Sequence, residues 1–292
     1  MQKKIISYDF TKRTSSKVFE PKKIDNLKKI LLYAKKQKKK IICKGSNLSY
    51  GDQYFNNNNI IISLIYFKKI LKYDKSKGII NVQSGCKISE ILSKITSDGW
   101  IMTGLPGHPE VTVGGSISSN VHGKEPTNEN FFSNNIIFLK ILLTNGKIIK
   151  ITKKNKLFKY IVGGMGLLGI ILEVSIKLKK VNSNFLKVKT VCINNFNDLR
   201  KAERLIPLHD FSYIWIDTFA KKKIRAIIEL AKWKEDKKFL NEKIVNKSLN
   251  KKNILFYIFI KLIKIFKLKN IIFKYVNFLY FFTKKFFFKK IN

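Results

Sequence analysis

The sequence is poor in arginine: of 59 basic residues, only Arg13, Arg200, Arg204 and Arg225 are not lysine. With 19 acidic residues the formal charge is +40, which alone points toward nucleic acid or an anionic surface. Guanidinium is the better phosphate ligand, however, and here lysine runs along the whole chain beside equally heavy isoleucine and asparagine. The charge is therefore read as solvated surface, and no nucleic-acid partner is expected. Cysteine is scarce. Cys43, Cys86 and Cys192 are odd in number, far apart and without a CxxC pair, so neither a disulfide framework nor a metal site is expected, and a reducing compartment fits. No apolar run approaches the ~18 residues of a membrane span, and MQKKIISYDFTKR lacks the apolar core of a secretory leader. The expected location is cytoplasmic.

Glycine and proline are sparse, and where they gather is informative. Leu105–Lys124 (LPGHPEVTVGGSISSNVHGK) breaks the lysine–isoleucine pattern with four glycines, two prolines and two of the three histidines. Small residues let a ligand approach the backbone, and a short helix starting after Gly114-Gly115 would offer free N–H groups to an anion. A surface loop built from turn residues is the competing reading. A second such stretch, Gly45–Asp52, follows the strand-like KIICK (Lys40–Lys44). Strand then Gly/Ser/Asn loop reads as a nest of N–H donors, or as a plain turn, and lacks the GxxxxGK[ST] phosphate loop. A third, Val162–Gly169, contains GxGxxG at Gly164, Gly166 and Gly169. Those glycines precede a strand instead of opening a helix, and position 189 is Lys189 where an acidic ribose partner should fall, so a Rossmann site is rejected.

Apolar periodicity places a helix over 22–38 and buried strands at 40–44 and 60–64. It places a hairpin over 70–83, a helix from Ile88 to about Gly99, and a hairpin around Asn145-Gly146. Strands follow over 170–178, 185–193, 211–218 and 225–233, with a helix over 195–206. Parallel-type βα units followed by antiparallel strands imply an α+β fold, with a domain boundary near 180. Ile254–Phe288 is apolar and aromatic but interrupted by lysine. It reads as helices packed on a partner or as a membrane-surface segment.

The three glycine stretches, in this order, resemble the PCMH-type FAD-binding oxidoreductases of the vanillyl-alcohol-oxidase superfamily, nearest the branch of decaprenylphosphoryl-β-D-ribose 2-oxidase. KGSNLSYGD (44–52) is similar to that branch's RGxGxSYGD, VTVGGSISSNVHGK (111–124) to VTVGGAIASDIHGK, and VGGMGLLGIILEVSI (162–176) to VGGxGLTGIILRATI. FSYIWID (211–217) looks like the first strand of the substrate domain. The resemblance implies a two-subdomain FAD-binding domain over 1–180 and part of an antiparallel substrate (cap) domain over 181–292.

It also implies which residues meet FAD. In the first loop these are Cys43, Lys44, Gly45, Ser46, Asn47 and Leu48, then Ser49, Tyr50, Gly51, Asp52 and Gln53. In the second they are Gly107, Thr112, Val113, Gly114 and Gly115, then Ser119, Asn120, Val121 and His122. Ile170 or Ile171 would contact the adenine end by backbone. His122 and Lys124 are the implied catalytic pair, beside the isoalloxazine and the substrate. Asn47 stands where the branch has glycine and, being tolerant of the left-handed region, can keep the turn. Leu48 stands where covalent flavoproteins carry the linking histidine, so FAD is expected to be non-covalent. His108 is read as a loop histidine and His209 as structural.

The implied activity is oxidation of a secondary alcohol of a sugar or polyprenyl-phosphate-linked pentose. A sugar-lactone or alditol oxidase of the same fold, or an inactive flavin-binding module, are the alternatives. A lipid-linked substrate implies peripheral contact at the inner membrane face. Family members continue past the point matching Asn292, so either a fragment or frameshifted product, or a second polypeptide completing the substrate domain, is expected.

Overall fold

The structure is a computed structural model that describes residues 2–126, 130–218, 220, 224–236 and 274–275. The described chain divides into two compact units, residues 1–123 with 128–180, and 124–127 with the chain from 181 onward. All but two residues of the Ile254–Phe288 segment lie outside the described residues.

The first unit opens with strands β1 (Gln2–Ile6) and β2 (Arg13–Phe19). Helix α1 (Ile24–Lys36) follows Pro21 and buries Leu27, Ile30, Leu31 and Ala34 on one stripe, as its 3–4 residue spacing requires. Strands β3 (Ile41–Lys44) and β4 (Ile60–Ser63) complete a four-stranded sheet in the order β1-β2-β4-β3. β1 and β2 are antiparallel, whereas β2 and β3 both run parallel to β4. Every residue of β4 is buried, as a central parallel strand demands. The edge strand β3, expected to be buried, is only half-buried, because one of its sides has no neighbouring strand.

Strands β5 (Ile70–Asp74) and β6 (Ile79–Gln83) form the expected hairpin, followed by helix α2 (Ile88–Ile95). Glu90 caps the start of α2 by accepting the Lys87 N–H at 3.0 Å. The short strand β7 (Trp100–Ile101) and the six-residue helix α3 (Val113–Ser118) come next. Strands β8 (Ile136–Leu142) and β9 (Ile148–Ile151) turn through Asn145-Gly146, with Gly146 at φ 81°. Helix α4 (Phe158–Ile161), β10 (Ile170–Lys177) and β11 (Lys179–Lys180, paired with β7) end the unit.

The second sheet is antiparallel throughout, in the order β5-β6-β10-β8-β9. Ile88, Ile91 and Ile95 of α2 and Val113 and Ile117 of α3 pack on its inner face with Ile80, Val82, Leu139 and Val174. Each such aliphatic side chain contributes roughly 1.5–3 kcal/mol of burial. Leu142, Ile170 and Leu172 reach the other way, into the core under α1, so both sheets share this hydrophobic support.

In the second unit β12 (Leu186–Ile193), α5 (Phe196–Glu203), β13 (Phe211–Ile216) and β14 (Ala226–Trp233) build an antiparallel sheet in the order β12-β14-β13. α5 is shorter than the 195–206 expected: Asn195 caps it from Asp198 N–H at 2.9 Å, and Pro207 sits in a separate 3-10 turn. The buried Asp217 carboxylate is bonded to Arg225.

Candidate functional site

A cavity of about 520 Å³ opens in the first unit. Three connections supply its wall: the loop after β3, the Pro106–Val121 segment around α3, and the turn before β10. From the first come Cys43, Lys44, Gly45, Ser46, Asn47 and Leu48, with Ser49, Tyr50 and Gln53. The second adds Gly107, Val111, Thr112, Gly114, Gly115, Ser118, Ser119 and Val121. The third adds Met165, Gly166, Gly169 and Ile171. No aspartate or glutamate lines it, and Lys44 is its lysine. Of two surface grooves of similar volume, the one over α1 touches none of the glycine segments and the one beside β1–β2 touches only Asp52, at the end of the first.

Glycine brings these walls together. A Cβ on Gly45 would fall 2.1 Å from Thr112 Oγ1, and one on Gly114 would fall 2.9 Å from Ser84 Cβ. The left-handed position expected of Asn47 is present at φ 60°, with its Oδ1 accepting from Lys44 Nζ at 2.9 Å. Burial lowers the pKa of that ammonium below its usual value. Cys43 is only partly exposed, and desolvation pushes its thiol up to about 12. It lines the wall as a neutral group.

The donor pattern decides what the cavity can hold. Among the described residues, no hydrogen bond uses the N–H groups of Gly45, Ser46, Asn47, Leu48, Ser49 or Tyr50. The Ser46 and Ser84 hydroxyls are buried without a partner. Buried hydroxyls are normally satisfied, so the two orphaned ones, beside consecutive unengaged N–H groups on half-buried to exposed residues of an acid-free cavity, fit an anionic, oxygen-rich ligand. The α3 start differs from expectation. It begins at Val113, so the glycines sit inside its first turn. Val113 N–H bonds to Cys86 O (2.9 Å), Gly114 N–H to Ser84 O (2.7 Å), Gly115 N–H to Thr112 Oγ1 (3.3 Å) and Ser116 N–H to Thr112 O (2.9 Å). Those donors are already engaged.

Several expected contact residues lie off the wall. Gly51 turns away at φ 68°, its N–H directed to Asp9 Oδ2 at 3.4 Å, and Asp52 lines the separate groove with Lys12 and Arg13. Val113 and Ile170 are buried in the two cores. Asn120 accepts the Ser133 hydroxyl at 2.8 Å. His122 is exposed, bridged to Phe131, with Nδ1 3.1 Å from Gly123 O. A carbonyl only accepts, so Nδ1 carries the proton and Nε2 is left for other chemistry. Lys124 belongs to the second unit. Its carbonyl accepts from Ser212 N–H at 2.8 Å and its ammonium sits 4.3 Å from the Tyr213 ring centroid. Tyr213 in turn donates to Glu229.

The cavity also gathers residues the sequence did not assign to it. Tyr8, Tyr54 and Ser84 reach it from distant segments, and His108 lines it as well. Tyr8 packs edge-on against Tyr50 (5.7 Å) and His108 (6.1 Å). The neighbouring Asp9 holds this corner: Ser7 Oγ donates to it at 2.5 Å, and the Ser7 and Thr11 bonds hold its pKa down to about 2. Glu110 pins the second loop to α2 through Lys87 Nζ (2.8 Å) and Ser89 Oγ (2.7 Å), which depress its pKa. His209 bonds Leu205 O at 2.7 Å.

Residues 15–152 match the family described as FAD binding domain. The chain is 30% identical over 141 residues to decaprenylphosphoryl-β-D-ribose oxidase of Mycolicibacterium smegmatis, covering 47% of this chain and 31% of that protein. It is 24% identical over 216 residues to D-arabinono-1,4-lactone oxidase of Candida glabrata, covering 70% and 39%. It is 27% identical over 126 residues to D-lactate dehydrogenase of Anaerostipes hadrus, covering 41% and 26%. The chain thus spans about a quarter to two fifths of the length of these relatives.

Proposed function

From the premise that residues 15–152 carry an FAD-binding domain of the PCMH type, we propose that this chain is the FAD-holding part of an oxidoreductase. Its substrate is a secondary alcohol of a sugar or of a polyprenyl-phosphate-linked pentose. The observation that carries the cofactor half is the run of six unengaged N–H groups in an acid-free cavity. These donors, with the Ser46 and Ser84 hydroxyls, hold the pyrophosphate, and Lys44 adds positive charge at the wall. Ile171, with Gly169, lies along the adenine side. Leu48 supplies no nucleophile, so the cofactor stays non-covalent. The substrate half is supported by the named sugar and sugar-lactone oxidases among the relatives.

Bound FAD supplies a hydride acceptor for oxidation of a CH–OH carbon. His122 Nε2, with Nδ1–H turned to Gly123 O, can take the hydroxyl proton released as the alcohol becomes a carbonyl. By the family resemblance, Lys124 is the proposed cation for negative charge developing on the flavin pyrimidine ring. A lipid-linked substrate would put the protein at the inner membrane face. A second reading is a flavin-binding module without turnover.

Three measurements separate these readings. Purified protein should show oxidised-flavin absorption near ~450 nm, and its absence removes the cofactor claim. Acid precipitation should release the flavin to the supernatant; retention on the polypeptide would point to a covalent link, with His108 and Cys43 as the nucleophiles on the wall. Anaerobic titration with a polyprenylphosphoryl pentose, an alditol and an aldono-lactone precursor should bleach the flavin with the first. Bleaching by either of the others moves the substrate, and bleaching by none favours the module reading.

A further inference from the structure

The connection between β9 and β10 carries an exposed apolar surface that the cofactor reading does not use. Phe158 and Ile161 of α4 pack into the core, while Leu157 and Tyr160 face outward. The turn that follows is held tightly. Gly164 N–H bonds to Ile161 O, and a Cβ on Gly164 would meet Tyr160 O at 2.1 Å, so the next residues continue directly from α4. Met165 and Gly166 belong to the cavity wall; Leu167 and Leu168 do not. Leu167 is 72% exposed, which makes it the least covered leucine of the first unit. Isolated exposed leucines are ordinary, but four large apolar side chains within twelve residues are a surface.

Its electrostatic setting narrows what covers it. From residue 130 to residue 172 the chain contains no aspartate or glutamate, against seven lysines at 140, 147, 150, 153, 154, 156 and 159. Lys140 is paired with Glu173, Lys150 lies over Phe138, and Lys153 bonds Asn134 O. Lys154 and Lys156, next to Leu157, make no hydrogen bond or ion pair among the described residues. A second copy presenting this face would bring lysine against lysine. Nucleic acid would meet the lysines but leave Leu157, Leu167 and Leu168 against phosphate. Exposed apolar side chains in an acid-free, lysine-rich segment match an anionic bilayer, where acyl boundary and lipid phosphate lie side by side.

We propose that the 153–168 connection is a docking surface for an anionic lipid membrane, with Leu157, Leu167 and Leu168 entering the headgroup–acyl boundary and Lys154, Lys156 and Lys159 meeting lipid phosphates. It stands on this surface alone, and holds whether or not the substrate is lipid-linked.

The test uses the full chain with Cys192→Ser and Leu167→Cys labelled by an environment-sensitive nitrobenzoxadiazole dye. Cys43 and Cys86, with thiols pushed up to about 12 by burial, stay unlabelled. Phosphatidylglycerol vesicles should shift the emission to the blue, with quenching by doxyl-labelled lipid, whereas phosphatidylcholine vesicles should not. The triple variant K154Q/K156Q/K159Q should weaken partitioning on the order of 100-fold at low salt, about what three lysines contribute at an anionic surface. The control triple K28Q/K35Q/K36Q on α1 should lose far less, which separates this face from the general basicity of the chain. Equal losses in the two triples, or no shift with phosphatidylglycerol, would overturn the proposal. So would a dye already blue-shifted in buffer, which would mean that the rest of the chain or a second copy covers the face.

Discussion

The loop after β3 and the turn opening α3 are both rich in small residues and both form walls of one cavity, yet their backbone donors are in opposite states. At α3 each of the first four N–H groups has a partner, two of them the carbonyls of Ser84 and Cys86 in a different segment. In the loop, the six from Gly45 to Tyr50 have none among the described residues. The glycines do not follow this division, since Gly45 and Gly114 both allow a close approach of segments. At Gly114 the missing side chain lets two pieces of protein close up, with Ser84 filling the space. In the other segment a run of donors is left to a ligand. One glycine-rich segment therefore has its donors engaged in packing, and the other is the proposed binding surface.

Substitutions can break this contrast, the strongest first. Gly45→Val forces the loop off Thr112, and flavin affinity should fall by roughly 100-fold, ~3 kcal/mol of overpacking. Gly107→Ala, which meets nothing within 4 Å, should leave it within about twofold. A comparable loss at Gly107 would show that any added side chain on this wall is harmful and that the Gly45 contact is not special. Ser84→Ala should weaken flavin binding about tenfold, the value of one lost hydrogen bond. The flavin-free protein should be no less stable, because the hydroxyl removed is a buried group without a partner; a lower Tm without flavin would mean that the hydroxyl serves the fold. Thr112→Val removes the acceptor for Gly115 N–H and should do the reverse. It should cost ~1 kcal/mol of stability, about 2–4 °C in Tm, with flavin affinity little changed.

The smallest effect concerns acid. The Asp9 carboxyl, held down to about 2 in the fold, favours the folded state fully above the ordinary aspartate range. That contribution is lost as pH falls from about 4 toward 2, and with it the anchor on Gly51 N–H at the end of the binding loop. Flavin release followed by fluorescence should therefore begin at higher pH in wild type than core unfolding does. Asp9→Asn should flatten that early phase. An unchanged acid profile in the variant would assign the phase to other carboxylates.

Much of this was legible in the chain, for identifiable reasons. Residues 24–36, 88–95 and both inner hairpins follow apolar spacing, and the three small-residue stretches do converge on one cavity. β1 and β2 were not foreseen. The inward side of β2 is Thr14, Ser16 and Val18, so burial there falls on hydroxyls and no apolar alternation is written in the sequence. Tyr8, Tyr54 and Ser84 reach the cavity through contacts between distant segments, which local composition does not encode. The state of the α3 donors was hidden for the same reason, since the carbonyls that engage the first two come from the turn after β6.

Lys124 has a consequence for the order of synthesis. Its carbonyl is held by Ser212 N–H, 88 residues further along the chain. At roughly 5–20 residues per second, the ribosome needs several seconds to deliver that partner after Lys124 itself has been made. Through that interval the sheet that will hold Lys124 does not yet exist, whereas the segments forming the cavity wall are complete once Ile171 has emerged. The proposed pyrophosphate cradle can thus close on the nascent chain before the proposed catalytic lysine has anything to rest against.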